Sequence, residues 1–327
     1  MFMQLAEALP PFPSTLWTLA KQAGVTHAVT QVPPDGPDGP GYDFIPLLRM
    51  KNRFADAGLD LQVIETGFPW LHNGKLGRPG RDEEIEKCQI LIRNLGKVGI
   101  SVVCWNFMAV FNWMRTSTTT PARGGALVTS YDHADMRDAP QTSEGEVTED
   151  QLWESLAWVM ERIVPVAEEA GVSLALHPDD PPISPIRGIG RILTSPENMR
   201  RAIDLVPSPH NGITMCQGTF STMGADVPAE IRRFLDRGAI HFVHFRDVKG
   251  TPARFAETFH DLGQTDMYEA MKVYYDQGYR GLVRPDHVPT MAGEDNQAPG
   301  YQVLGRLYAL GYMHGLGESV EKAAAST

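Results

Sequence analysis

Short apolar runs rich in β-branched residues recur along the chain at 1–5, 27–31, 61–65, 101–106, 173–177, 212–216, 240–246 and 281–284. Between them lie stretches whose apolar residues repeat at helical spacing, at 14–22, 44–57, 82–97, 148–169, 196–203, 228–237, 266–277 and 301–314. The first pattern predicts strands and the second predicts amphipathic helices. Gly24, Gly58, Gly171, Gly238 and Gly278 stand where a helix gives way to the next strand, the place for a left-handed residue that closes a helix. Ser14, Asp82, Thr148 and Ser195 are candidate N-caps.

Alternation of this kind demands a parallel sheet covered by helices, and eight units close most economically into a single (β/α)8 TIM barrel of the α/β class. A doubly wound open sheet is the alternative, but no GxGxxG follows a strand in the dinucleotide-binding context. The longest interruption, 107–145, is rich in Thr, Pro, Arg, Gly and Asp and follows the fourth strand. It is expected to be a long loop over the catalytic face of the barrel. The barrel domain is expected to span 1–318, with 319–327 as a C-terminal tail that frays.

With 327 residues, 42% of them hydrophobic, the chain can fill one large core. A net charge of -11 argues against a nucleic-acid or anionic-membrane partner, since either would need a basic patch. There is no apolar run of about 18 residues and no basic start leading into an apolar segment. Neither a membrane span nor a signal peptide is therefore expected. Cys88, Cys104 and Cys216 are widely spaced, which suits a reducing, cytoplasmic compartment better than a disulfide scaffold.

Four side chains of metal-ligand type end four consecutive strands: His177 in LALHPDD, Cys216 in ITMCQG, His244 in FVHFRDV and Asp286 in VRPDHV. A barrel brings the carboxyl ends of its strands onto one face, so these donors converge. Nitrogen, sulfur and oxygen together make a divalent-cation site. A single strand-end His is more often a structural residue, and a single Cys is usually a small buried hydrophobe. Four suitable donors in succession favour the metal site.

LALHPDDPP, FVHFRDV, FHDLGQTDMYEAM, RPDH and NFMAVFNWMRT together resemble the mannonate dehydratase family, over about 24–315 of the chain. The resemblance implies a xylose-isomerase-like TIM barrel that binds Mn2+ and dehydrates D-mannonate to 2-keto-3-deoxygluconate, in hexuronate catabolism. It implies the same four ligands, His177, Cys216, His244 and Asp286, and a catalytic pair, His287 and Tyr301 in PGYQVLGR. Without it, His287 reads as a partner that orients Asp286, and Tyr301 as a packing aromatic. Donor softness alone favours Zn2+, and Fe2+ or Co2+ are further candidates. A homo-oligomer such as a dimer is expected.

Asn106, Arg115 and His72 are candidates to bind the sugar acid through hydrogen bonds or a carboxylate pair. Asp179 and Asp180 fit loop stabilisation better than a glycosidase-type pair, because adjacent residues point different ways. Two departures from the family stand out: Val288 and Pro289 follow RPDH in place of Gly and Arg, and Asn112 replaces the Asp of FDW. With them the substrate need not be D-mannonate itself: a related aldonate, or a very slow mannonate activity, would fit. In the expected reaction His287 protonates the leaving hydroxyl, while Tyr301 would need a depressed pKa to act as base. A metal-dependent sugar isomerase or epimerase, and a non-catalytic sugar-acid binding barrel, are the competing readings.

Overall fold

A computed structural model describes residues 1–326. The chain begins β1 (Gln4–Ala8), α1 (Thr15–Gln22), β2 (His27–Thr30), α2 (Phe44–Asp56), β3 (Asp60–Glu65), α3 (Asn73–Leu76), α4 (Arg81–Val98) and β4 (Val102–Asn106). It continues through β5 (Ser117–Pro121), β6 (Leu127–Asp132), α5 (Glu149–Ala170), β7 (Ser173–His177), α6 (Pro196–Asp204), β8 (Asn211–Cys216) and α7 (Gln217–Thr222). It ends α8 (Val227–Leu235), β9 (Ile240–Phe245), β10 (Val248–Thr251), β11 (Arg254–Glu257), α9 (Met267–Asp276), β12 (Leu282–Pro285) and α10 (Val303–Ala325). Strands β1, β2, β3, β4, β7, β8, β9 and β12 close in that order into a barrel, and every neighbouring pair is parallel.

Two apolar layers hold this arrangement. Inside the barrel Ala6, Val29, Val63, Cys104 and Ala175 surround Phe242, small residues around one ring in a lumen just wide enough for side chains. Outside, helix faces such as Leu156, Val159, Met160 and Ile163 of α5 pack on the sheet. Between α4 and α5 the helices approach so closely that a Cβ on Gly96 would lie 2.3 Å from the Ala170 carbonyl oxygen. Gly96→Ala must push the two helices apart, so a loss of about 1–3 kcal/mol in urea denaturation is expected. An unchanged midpoint would show slack at this contact.

The helix boundaries follow their local chemistry. Thr148 and Gln151 form the reciprocal capping box of α5, and Ser195 caps α6 through Asn198 N–H. The five glycines expected to close helices all have positive φ. Gly171, for one, follows α5 at φ 66°, where a Cβ would be strained. Some expectations need correction. The cap of α4 is Gly80, with Asp82 inside the first turn where its charge suits the helix dipole. Strand β1 starts at Gln4 rather than residue 1. The segment from 319 on, expected to fray, continues α10 to Ala325, held by buried Val320. Thr327 lies outside the described residues.

The interruption at 107–145 is not a plain loop. It contributes β5 and β6 to a four-stranded antiparallel sheet completed by β10 and β11, which arrive from beyond β9. Phe255 pairs with Tyr131 in that sheet and both are buried. This sheet delivers Glu257, the last residue of β11, to the site described next. Among the described residues no helix is long and apolar enough to cross a membrane.

Candidate active site

His177 and Cys216 end β7 and β8, and His244 lies one residue from the end of β9. Barrel register pairs Cys216 with His244, so neighbouring strands present their donors at one level. One donor atom from each of these three residues lies within 4.8 Å of the other two. The His177 Nδ1 donates to the Pro178 carbonyl at 2.7 Å, so Nε2 faces the thiol. Burial disfavours the charged ring, but Cys216 outweighs it and raises the His177 pKa to about 9, and a metal would bind Nε2 in place of its proton. Burial opposes ionisation of Cys216, but Arg246 and His177 outweigh it and lower the thiol pKa. The thiolate is the form that binds a metal.

Asp286 stands at the edge of this group, its Oδ2 3.6 Å from His244 Nδ1. That same oxygen accepts from Arg246 Nε at 2.9 Å, while Oδ1 lies 3.1 Å from Arg284 Nη1. The His244 ring is 2% exposed, and neither nitrogen makes a hydrogen bond. A buried, unbonded imidazole is costly, and a cation beside it would supply the missing partner. Two imidazoles, a thiol and a nearby carboxylate fit a divalent cation.

Two other clusters of ligand-type residues fit one less well. Glu65, Cys104 and His244 also approach one another, but Glu65 is held by Arg284, and burial pushes the Cys104 thiol well up. Asp180, Glu257 and His287 form the third, and there two guanidinium groups already supply the positive charge. Arg115 binds both oxygens of Asp180, at 2.7 and 2.9 Å, and Arg246 binds Asp180 and Glu257 at 2.8 Å each. Against the pull of burial, these arginines hold both carboxyls below the usual range. Arg246→Met would leave Asp180, Glu257 and Asp286 each short of a buried partner. The expected cost is about 3–5 kcal/mol in chemical denaturation, and a variant as stable as the parent would contradict the network.

The expected pair His287 and Tyr301 lines one cavity of about 250 Å³ together with His177, His244 and Asp286. His287 Nδ1 lies 2.9 Å from Glu257 Oε1. Arg115 Nη2 is also 3.2 Å from this Nδ1, but its two protons go to Asp180 and Glu257. A carboxylate can only accept, so Nδ1 donates to Glu257 and a neutral ring keeps its lone pair on Nε2. The Tyr301 hydroxyl points at Asp286 Oδ1, 3.4 Å away, and burial followed by Asp286 pushes the phenol well above its usual pKa. Trp113 packs on both rings, with centroids 4.8 Å from His287 and 6.2 Å from Tyr301. Glu257 is not among the residues the sequence points to, since no strand is predicted at 254–257.

The candidates for substrate contact divide. Asn106 lines the central cavity, and its strand neighbour in β7 is His177. His72 is half exposed and lines a second, adjoining cavity. Arg115 lines neither, because Asp180 and Glu257 occupy its guanidinium. Its part is to hold those carboxylates. Asp179 accepts from Leu193 N–H and faces buried Arg191, the loop role expected of it. Val288 and Pro289 are buried outside these cavities. Their departure from the family therefore gives no reason for a change of substrate. Asn112 does line the central cavity.

Fold and site together define the class: a (β/α)8-barrel protein with a cation-type donor set at the carboxyl ends of its strands, and His287 and Tyr301 beside it. The model of a family described as D-mannonate dehydratase (UxuA) matches residues 13–144 and 142–327. The chain belongs to that family. A mannonate dehydratase from Thermotoga maritima is 38% identical over 88% of this chain and 89% of its own. One from Streptococcus pneumoniae is 35% identical over 96% and 93%. The crystal structure of mannonate dehydratase from Streptococcus suis serotype 2 matches with TM-score 0.89 at 34% identity, covering 99% of this chain and 95% of that one. L-ribulose 3-epimerase matches with TM-score 0.64 at 15% identity, over 99% and 97%, a likeness of fold alone.

Proposed function

We propose that this protein is a metal-dependent hydro-lyase that converts D-mannonate to 2-keto-3-deoxygluconate and water. The observation that carries this reading is that His177 and His244, which group with Cys216, line one cavity together with both His287 and Tyr301. The names of the family and of its relatives point to the same substrate.

His177, Cys216 and His244 would hold the cation, with Asp286 beside them. When bound, a divalent cation supplies Lewis-acid stabilisation of negative charge that develops on the substrate carboxylate. Mn2+ is the proposed ion, because selectivity in cells follows availability and geometry more than donor softness. Metal analysis of protein purified without added ions, with reconstitution assays, tests this; activity with Zn2+ alone would overturn it.

The bonded Nδ1 leaves His287 Nε2 as the acceptor for the proton on carbon two. Tyr301, held as a phenol, donates its proton to the hydroxyl leaving carbon three. This reverses the roles expected from the sequence. Water departs, and the resulting enol gains a proton at carbon three and loses its hydroxyl proton at carbon two to become the 2-keto acid. The proton taken by His287 and that lost by Tyr301 balance over the turnover. Trp113 packs against both rings and helps to fix their orientation.

Incubation of the metal-loaded protein with D-mannonate, followed by mass analysis, tests the reaction. A 2-keto-3-deoxy acid lighter by one water is expected. An isomer of unchanged mass would instead identify an epimerase or isomerase.

A further inference from the structure

Two cavities adjoin the central one, and they differ in chemistry. The wider, about 500 Å³, has an apolar wall of Leu9, Pro10, Pro11 and Leu16, and its charged groups Glu65, Arg284 and Arg306 are already paired or bonded within the protein. The other, about 340 Å³, is lined by Gln31, Thr66, His72, Lys75, Asn106 and Asn112, among others. It shares Asn106 and Asn112 with the central cavity, so the two are continuous.

We propose that Lys75, together with Asn106 and His72, forms a subsite for the hydroxyl-bearing tail of the sugar acid, carbons four to six, remote from the cation donors. The assignment rests on the dehydratase reading for which end of the substrate reacts.

Lys75 is presented rigidly. The carboxylate of Glu84 on α4 accepts from the backbone N–H of Asn73 (3.0 Å) and of Gly74 (2.8 Å), which pins the short helix α3. From there the ammonium donates to Asn106 Oδ1 at 3.2 Å and to the Met108 carbonyl at 3.0 Å, both neutral acceptors. Among the described residues it forms no ion pair. An ammonium has three donors, so one remains for a ligand. Burial pushes its pKa down to about 8, the mark of a cation short of solvation that extra oxygen acceptors would relieve. Asn106 Oδ1 also accepts from Met108 N–H at 3.1 Å. With its oxygen doubly engaged, the amide turns its two N–H donors to a ligand. A polyol tail carries an oxygen on each carbon and matches this lining.

The test compares two ligands by calorimetry in the His287→Asn background, where turnover is slowed by roughly 10²–10⁴. One is D-mannonate. The other is a four-carbon aldonate with the same configuration at carbons two and three, which lacks most of the tail. Lys75→Met should weaken D-mannonate about 10- to 100-fold, the worth of a hydrogen bond to a charged group, and the shorter acid no more than about twofold. Equal weakening of both ligands, or none of D-mannonate, overturns the proposal. Should Lys75→Met fail to fold, Lys75→Gln, which keeps a donor toward Asn106 and Met108, carries the same comparison. Loss of the dehydratase reading would look different: the parent protein would release no water from D-mannonate, while the two acids would still be discriminated through Lys75.

Discussion

Cys216→Ala is expected to cost the protein both its divalent cation and its activity. The thiol is one of three donors within 4.8 Å of one another, and alanine leaves two imidazoles with only the edge carboxylate of Asp286. A ligand removed from such a set takes much of the binding free energy with it. Lewis-acid stabilisation of several kcal/mol then disappears, which corresponds to a fall of roughly 10³-fold or more in kcat/KM. The fold should survive, because Cys216 is small and its neighbours are the strand partners of β8. Asp286→Ala should lose metal as well, and it should also lose stability, since Arg246 and Arg284 both lean on that carboxylate. Metal content measured on the folded variants decides the matter. A Cys216→Ala protein that keeps a full equivalent of cation would remove the thiol from the site.

The second large effect separates proton transfer from metal binding. His287→Asn and Tyr301→Phe should retain the cation and the fold while kcat falls by roughly 10²–10⁴, the usual worth of a positioned acid or base. Phenylalanine keeps the ring packing of Tyr301 against Trp113 and His287 and removes only the hydroxyl. The two variants should also part company in D2O. Tyr301→Phe keeps the base and should still exchange the hydrogen on carbon two of D-mannonate with solvent; His287→Asn should not. The opposite pattern would return the base role to Tyr301. A fully active Tyr301→Phe enzyme would exclude that residue from the chemistry altogether.

What could be read from the chain follows from what is local. Each strand and helix of the barrel carries its own periodicity and its own stop signal, and a helix end such as Gly171 needs only its immediate neighbours to be recognised. The donors His177, Cys216 and His244 were legible for a related reason: once the alternation implies a barrel, a polar residue ending each strand has its place on the common face.

The sheet formed by β5, β6, β10 and β11 carried no such signal. Its strands are four to six residues long, and β6 and β11 meet across more than a hundred residues of chain. Nothing near Glu257 in sequence announces that it will lie 2.9 Å from His287. The same holds for Arg115, legible as a charged residue near the site, although only the fold shows its charge spent on Asp180 and Glu257. Lys75 sits in a short turn of helix with no pattern of its own, and Val288 and Pro289 looked meaningful until burial placed them outside the cavities. Sequence alone therefore determined the barrel, its punctuation and the converging donors. Tertiary structure decided which charges neutralise one another, which nitrogen of His287 is free and which cavity is polar. Those choices depend on chain closure between distant segments, and a local pattern holds no record of it.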